Sequence, residues 1–271
     1  MLKILERVNI NLWIELVRYI HDEILKIYNN DFEVYFKEDK SPLTEADRLV
    51  SNIIYNKLNI WFPEIPIICE ERKEISYEER KNWEYYFLID PIDGTKEFIK
   101  KNGEFTVNIG LCYKNRPIFG IVTIPVDNIM YYGELNNGSY KINLNENKTG
   151  IEVKSIQLKP KDNTNRDIES VNIIVSRSHL DDMTIDYINT FKNKYKNLTL
   201  IKSGSSIKFM KIAENEADIY PRFGPTMEWD TCASHIIVEE SGKNIYSTID
   251  NSILKYNKEN LKNDNFICAN L

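Results

Sequence analysis

The chain has 271 residues, 42% of them apolar and 28% charged, which excludes a stapled mini-protein and a disordered chain and leaves room for one large domain or two of moderate size. Lys and Arg number 35 against 41 Asp and Glu, a net charge of -6, so no global basic field draws in long nucleic acid or an anionic membrane surface. No apolar run reaches the roughly 18 residues of a spanning helix, and Met1-Leu2-Lys3-Ile4-Leu5-Glu6-Arg7 meets charge too early for a signal peptide, so the expected location is the cytoplasm.

Ile10, Trp13, Val17, Ile20, Ile24 and Ile27 recur at three- and four-residue spacing and predict a first helix of about five turns. His21 lies off that stripe and is expected in solvent. Residues 37–40 read as a charged loop. Pro42 and Thr44-Glu45-Ala46-Asp47 then match the Ser/Thr-x-x-acid start of a helix with Leu49, Ile53 and Ile54 turned inward. Residues 67–71 form a short apolar strand ending in Glu70 and Glu71, followed by a hydrophilic excursion to residue 81. The strand 85–89 runs into Asp90-Pro91-Ile92-Asp93-Gly94-Thr95.

Residues 105–111 alternate as a strand, 117–126 offer another, and Tyr131-Tyr132-Gly133 leads to the turn Asn136-Asn137-Gly138. The Asn-, Lys- and Asp-rich stretch 143–166 is the expected domain boundary, with an irregular strand at 151–158. Beyond it the pattern predicts strands at 171–175, 199–201 and 217–220, and helices at 183–195, 207–213 and 229–240, the last closed by Gly242. Cys69, Cys112, Cys232 and Cys268 are far apart, with no CxxC pair and three histidines in the chain, so reduced thiols are expected rather than a disulfide framework or structural zinc.

Asp90-Pro91-Ile92-Asp93-Gly94-Thr95 sets two carboxylates three residues apart at a strand mouth, where Pro91 stiffens the turn and Gly94 lets backbone approach closely. Oxygen ligands without His or Cys suit Mg²⁺, and a helix opening at Gly94-Thr95 would present N–H groups to a phosphate. The plainer alternative is an Asx-turn in which the acids satisfy their own backbone. Asp230 sits in the first turn of a helix, where capping and catalysis again compete, and Asp47 faces the same choice.

Taken together, Glu70-Glu71, the segment 90–95 and the distal Trp229-Asp230 resemble the inositol monophosphatase superfamily of Mg²⁺-dependent, lithium-sensitive phosphatases. Segments 41–47, 94–99, 102–109, 176–179, 204–209, 218–231 and 256–259 are similar to the 3′(2′),5′-bisphosphate nucleotidases of the bacterial CysQ type. The resemblance implies the layered α-β-α-β-α sandwich of sugar phosphatases. An α+β part over residues 1–165 would carry most metal ligands, and an α/β part over 166–271 would add Asp230 and the nucleotide-binding side.

It further implies two Mg²⁺ ions, with a third as an option, on Glu70, Asp90, Asp93, Asp230 and the backbone carbonyl of Ile92, with Glu71 adjacent and able to share the role. Asp47 and Thr95 would orient and deprotonate a water. Gly94, Thr95, Lys208 and Arg222 would meet substrate phosphate, and Ser176, Arg177, Ser178, His179 and Gly204 the base or sugar. The implied reaction is hydrolysis of the 3′-phosphate of 3′-phosphoadenosine 5′-phosphate to AMP and phosphate by a metal-activated water. An inositol or sugar monophosphatase is the alternative within the same chemistry, and a nucleotide- or metal-sensing binding protein on the same fold is the non-enzymatic one.

The expected partner is a small adenosine bisphosphate, the expected assembly a monomer or homodimer, and the expected setting the cytoplasm or the periphery of the inner membrane. Ser241, in Glu240-Ser241-Gly242-Lys243-Asn244, stands where the family usually shows a glycine pair, and residues 143–166 match poorly. Both departures bear on loop geometry and substrate preference rather than on the metal ligands.

Overall fold

The computed structural model describes residues 3–37, 40–146, 154–160, 169–178 and 180–269. The predicted apolar stripe closes as helix α1 (Ile10–Tyr28), whose Asn9 side chain accepts from the Asn11 N–H at 3.1 Å as an N-cap. Thr44 and Asp47 form a reciprocal capping box that starts α2 (Glu45–Trp61). The inward face of α2 is Val50, Ile54 and Leu58; Leu49 and Ile53 are only half-buried, because the stripe follows Ala46 at four-residue steps. The remaining helices are α3 (Tyr77–Arg80), α4 (Thr95–Ile99), α5 (Asp182–Lys192), α6 (Ile207–Ala213) and α7 (Glu228–Glu240).

Strands β1 (Val34–Phe36) and β2 (Pro42–Thr44) pair as a small ribbon. A seven-stranded sheet runs in sequence order through β3 (Ile67–Cys69), β4 (Tyr85–Asp93), β5 (Thr106–Tyr113), β6 (Arg116–Ile124), β7 (Ile129–Glu134), β8 (Gly138–Asn143) and β9 (Ser155–Leu158). A five-stranded sheet takes β10 (Ser170–Ser176), β11 (Asn197–Ser203), β12 (Ile219–Arg222), β13 (Asn244–Ser247) and β14 (Phe266–Ala269) in the order β11-β10-β12-β14-β13. The hydrophilic excursion hides α3, whose Arg80 is fully buried and donates to the carbonyls of Lys258 and Glu259 and to Asn257 Oδ1. Of the irregular strand expected at 151–158, residues 151–153 lie outside the described residues and 155–158 form β9.

Three of the four apolar cores among the described residues define the layers. Trp13, Val17 and Ile24 of α1 and Val50 and Ile54 of α2 pack on Phe87, Ile109 and Ile121 of the first sheet. Met210 and Ile212 of α6 and Ala233 and Ile237 of α7 lie between Val122 and Tyr131 on one side and Ile174, Ile245 and Phe266 on the other. Ile188 and Phe191 of α5 cover Val171, Ile173 and Val175 on the outer face of the second sheet. The result is the α-β-α-β-α sandwich that the resemblance implied.

The expectation of a solvated His21 is overturned. The ring is buried at 1% exposure, with Nε2 2.5 Å from Thr123 Oγ1 and Nδ1 2.9 Å from Asn128 Oδ1. Burial pushes its pKa down to about 4, which keeps the ring neutral where α1 meets the sheet. All four cysteines are free, and all four are buried.

Helix α7 reaches the first sheet through a row of glycines. Gly110, Gly120 and Gly133 stand opposite one another on β5, β6 and β7. A Cβ on Gly120 would lie 2.4 Å from the Ala233 carbonyl oxygen, and one on Gly110 2.4 Å from Cys232 Sγ. Only bare backbone admits the helix this closely, and the approach carries Asp230, at the start of α7, toward the mouth of β4.

Candidate active site

Along an ideal strand, residues three apart point to opposite faces. Asp90 pairs with Asn108 and Asp93 with Thr106, so three steps on β4 oppose two on β5. This bulge contains Pro91 and returns both carboxylates to one face, where Thr106 and Asn108 also point. Gly94 then turns the chain at φ +93, in the left-handed region that favours glycine, and starts α4 with Thr95.

The competing roles of the aspartates prove compatible. Asp47 Oδ2 accepts from the Thr44 N–H at 2.7 Å and the Thr44 hydroxyl at 2.6 Å, while its Oδ1 lies 3.3 Å from the Thr95 hydroxyl. That hydroxyl has a second acceptor in the Ile92 carbonyl, also at 3.3 Å. Asp90 Oδ1 accepts from the Ile92 N–H at 3.0 Å, the Asx-turn pattern, and Asp230 Oδ2 accepts from the Met227 N–H at 2.8 Å, capping α7. Asp93 Oδ2 receives the hydroxyls of Ser205 at 2.9 Å and Ser206 at 2.7 Å.

Burial, and then the charges of Glu70, Asp93 and Asp230, push Asp90 well above the usual carboxylate range; burial, Asp93 and Glu70 do the same to Asp230. Asp47 is raised chiefly by burial. Lys37 Nζ donates to Glu70 and Glu71 at 2.7 Å each, yet burial still raises Glu71 to about 7. Among the described residues no three of these acids are drawn together closely enough to hold one ion as they stand. The donor set is nevertheless all oxygen, and burial with the neighbouring acid charges raises the proton affinity of Asp90 and Asp230, so a hard divalent cation is the charge that fits among them.

Glu70, Asp93, Gly94, Thr95, Ser176, Gly204, Lys208, Arg222 and Asp230 line one cleft of about 220 Å³. Asp47 and Asp90 lie buried behind it. Lys208 is 5% exposed and donates to the Ser205 carbonyl at 2.5 Å, and burial pushes its ammonium down to about 8. Arg222 donates through Nη2 to the Pro225 carbonyl at 3.1 Å, while its Nε is buried without a hydrogen-bond partner. Both cations line the same cleft as Asp93 and Asp230.

Arg177 and Ser178 point elsewhere: Arg177 grips Glu104 through Nε at 2.5 Å and Nη2 at 2.7 Å, and Ser178 donates to Glu97 at 2.5 Å. His179 lies outside the described residues. Sequence reasoning missed Ser205, Ser206, Lys37, Glu97 and Glu104. Nothing in two adjacent serines before a helix points to an aspartate so far back in the chain, and only the fold reveals that they hold Asp93.

A model described as the inositol monophosphatase family matches residues 7–270. The chain is 38% identical over 234 residues to the 3′(2′),5′-bisphosphate nucleotidase CysQ of Salmonella typhimurium, covering 86% of this chain and 87% of that one. To the protein of the same name from Buchnera aphidicola it is 41% identical over 221 residues, covering 81% and 77%. The crystal structure of CysQ from Bacteroides thetaiotaomicron superposes with a TM-score of 0.78 at 40% identity, over 92% of each chain. An inositol monophosphatase from Thermotoga maritima shares the fold at a TM-score of 0.74 and 19% identity, over 96% of this chain and 91% of that one. A bulged strand, a glycine-docked helix and the acids they carry thus sit in a chain that belongs, over nearly its whole length, to the inositol monophosphatase family.

Proposed function

We infer that the protein is a 3′(2′),5′-bisphosphate nucleotidase of the CysQ type, which hydrolyses 3′-phosphoadenosine 5′-phosphate to AMP and phosphate. The carrying observation is that one cleft holds both an acid cluster around Asp93 and Asp230 and two cations, the buried Lys208 and the half-buried Arg222. A monophosphate needs only the first; a substrate with a second phosphate needs both. The orphaned Arg222 Nε is a buried donor suited to an anionic oxygen.

Glu70, Asp90, Asp93, Asp230 and the Ile92 carbonyl would hold Mg²⁺, two ions with a third as an option. When bound, the metal neutralises the phosphate charge and acidifies water. The side chains do the rest. The capping bonds from Thr44 fix Asp47 Oδ2, so Oδ1 is held toward the Thr95 hydroxyl. Thr95 passes its proton toward Asp47 as it accepts one from the attacking water, and the raised proton affinity of buried Asp47 suits it to keep that proton.

Gly94 and Thr95 offer backbone N–H groups to the scissile phosphate, Lys208 and Arg222 hold the other, and Ser176 and Gly204 border the nucleoside. Arg177 and Ser178 brace that wall from behind. We also propose the cytoplasm as the place of work, which four free thiols support. Among the described residues no helix is long and apolar enough to cross a membrane.

The test is phosphate release with Mg²⁺, with and without lithium, from 3′-phosphoadenosine 5′-phosphate, inositol 1-phosphate and fructose 1,6-bisphosphate at matched concentrations. Preference for the adenosine bisphosphate, suppressed by lithium, is expected. Preference for inositol 1-phosphate would retain the acid cluster's chemistry and remove the role given to Lys208 and Arg222.

A further inference from the structure

Three loops converge on Glu104, whose carboxylate the chemistry above leaves unused. Its Oε2 accepts from Arg177 Nε at 2.5 Å and the Gly204 N–H at 2.9 Å, and its Oε1 accepts from Arg177 Nη2 at 2.7 Å. Its backbone is gripped as well: a Cβ on Gly204 would lie 2.7 Å from the Glu104 carbonyl oxygen, and one on Gly94 3.1 Å from the same atom. The two turns that open α4 and α6 therefore close on one residue.

The turn that Glu104 holds carries the recognition groups. Ser205 adopts φ 53, a left-handed conformation costly for a side-chain-bearing residue, which persists only where neighbours over-determine it. Those neighbours are Thr106 Oγ1 at 2.5 Å and Asp93 Oδ2 at 2.9 Å on the Ser205 hydroxyl, with the Glu104 carboxylate on the preceding N–H. The Ser205 carbonyl then receives Lys208 Nζ at 2.5 Å. From Glu104 to the Lys208 ammonium the path is thus two hydrogen bonds and one strained residue. Lys208 has no ion-pair partner among the described residues, so that carbonyl, with the Tyr220 ring centroid 5.4 Å from the ammonium, is what aims it.

We propose that Glu104 is a positioning residue for the second phosphate of the substrate: its carboxylate sets the 204–206 turn, the turn aims Lys208, and Arg177 holds the carboxylate in place as a bidentate counter-charge. The proposal rests on the bisphosphate nucleotidase reading, because Lys208 matters most where a second phosphate must be met. Arg177 accordingly acts through Glu104 and touches no substrate.

Steady-state kinetics with Mg²⁺ on 3′-phosphoadenosine 5′-phosphate and on adenosine 3′-monophosphate test it, with a melting curve for each variant. Glu104→Ala is expected to raise KM for the bisphosphate about ten-fold or more, with kcat/KM for the monophosphate changed less than about three-fold. Glu104→Gln, whose amide oxygen still accepts from Gly204, should recover most of that loss. Arg177→Met, which spares the Gly204 bond, should show the same selectivity at smaller size.

Equal losses on both substrates, or none, overturn the proposal, and so does a larger KM effect from Arg177→Met than from Glu104→Ala. Should Glu104→Ala fail to fold, Arg177→Met decides by the same selectivity. A wild-type chain without preference for the bisphosphate removes the substrate reading and this proposal together, whereas a preference that survives Glu104→Ala removes this proposal alone.

Discussion

Asp47, Asp90 and Asp230 each commit one carboxylate oxygen to a nearby backbone N–H, and the same residues are the ones assigned to catalysis or metal. The backbone bond is what holds each acid still, so local structure and chemistry share one side chain rather than compete for it. The arrangement is costly without a counter-ion, because burial and mutual charge disfavour the ionised forms of Asp90 and Asp230. Asp230→Asn removes one charge while its amide oxygen still caps α7 at Met227. It is expected to raise the melting temperature in chelator by a few degrees, roughly the effect of 1 kcal/mol, to lower kcat about a hundred-fold or more, and to blunt the stabilisation that Mg²⁺ gives the wild type. Calorimetry with and without Mg²⁺ measures both shifts; a variant less stable than wild type in chelator would falsify the account of stored repulsion. Such acids were legible in the sequence as types at a spacing. Which oxygen does what was not, because that depends on the bulge between Asp90 and Asp93 and on partners such as Ser206, far along the chain.

At the scale of elements, the geometry of the cleft depends on how deeply α7 sits on the first sheet. The row of Gly110, Gly120 and Gly133 sets that depth. Gly120→Ala would place a methyl group 2.4 Å from the Ala233 carbonyl, a backbone atom that yields only if the helix moves. The expected outcome is a loss of about 1–3 kcal/mol in urea unfolding together with a drop in kcat, since Asp230 moves with its helix. An equivalent loss of stability with kcat untouched would separate docking depth from catalysis. Most elements were readable from periodicity: α1, α6 and α7 stand within a residue or two of their expected bounds. Strands β13 and β14 were not, because four-residue segments in a loop-rich stretch leave no period, and their places, β14 beside β12 and β13 beside β14, are fixed by antiparallel pairing that crosses the chain. The glycine row was equally hidden, since three glycines 10 and 13 residues apart signify nothing until the strands carrying them are in register.

For the molecule as a whole, two buried histidines tie the layers together. His21 joins α1 to β6 and the turn after it, and His235 of α7 lies 2.7 Å from Asn244 Oδ1 and 2.8 Å from the Tyr256 hydroxyl. Neither partner set is near in sequence, which is why His21 read as a surface residue. Burial lowers both rings from 6.5 to about 4, so between those values the unfolded chain binds protons that the folded one refuses. Stability from these groups is therefore complete above pH 6.5 and is lost as pH falls toward 4. Each histidine accounts for about 2 kcal/mol of the loss by pH 5. The buried carboxylates Asp90 and Asp230 titrate with the opposite sign, because a raised folded pKa gains stability as pH falls. The wild-type curve alone mixes the two. Comparing it with His235→Gln isolates the histidine, since the amide can still bond to one of its partners and takes up no proton, and the carboxylates cancel in the difference. Urea unfolding at pH 7.5 and pH 5 should show the variant losing about 2 kcal/mol less than wild type between the two; parallel losses would mean that His235 is not held neutral by the fold.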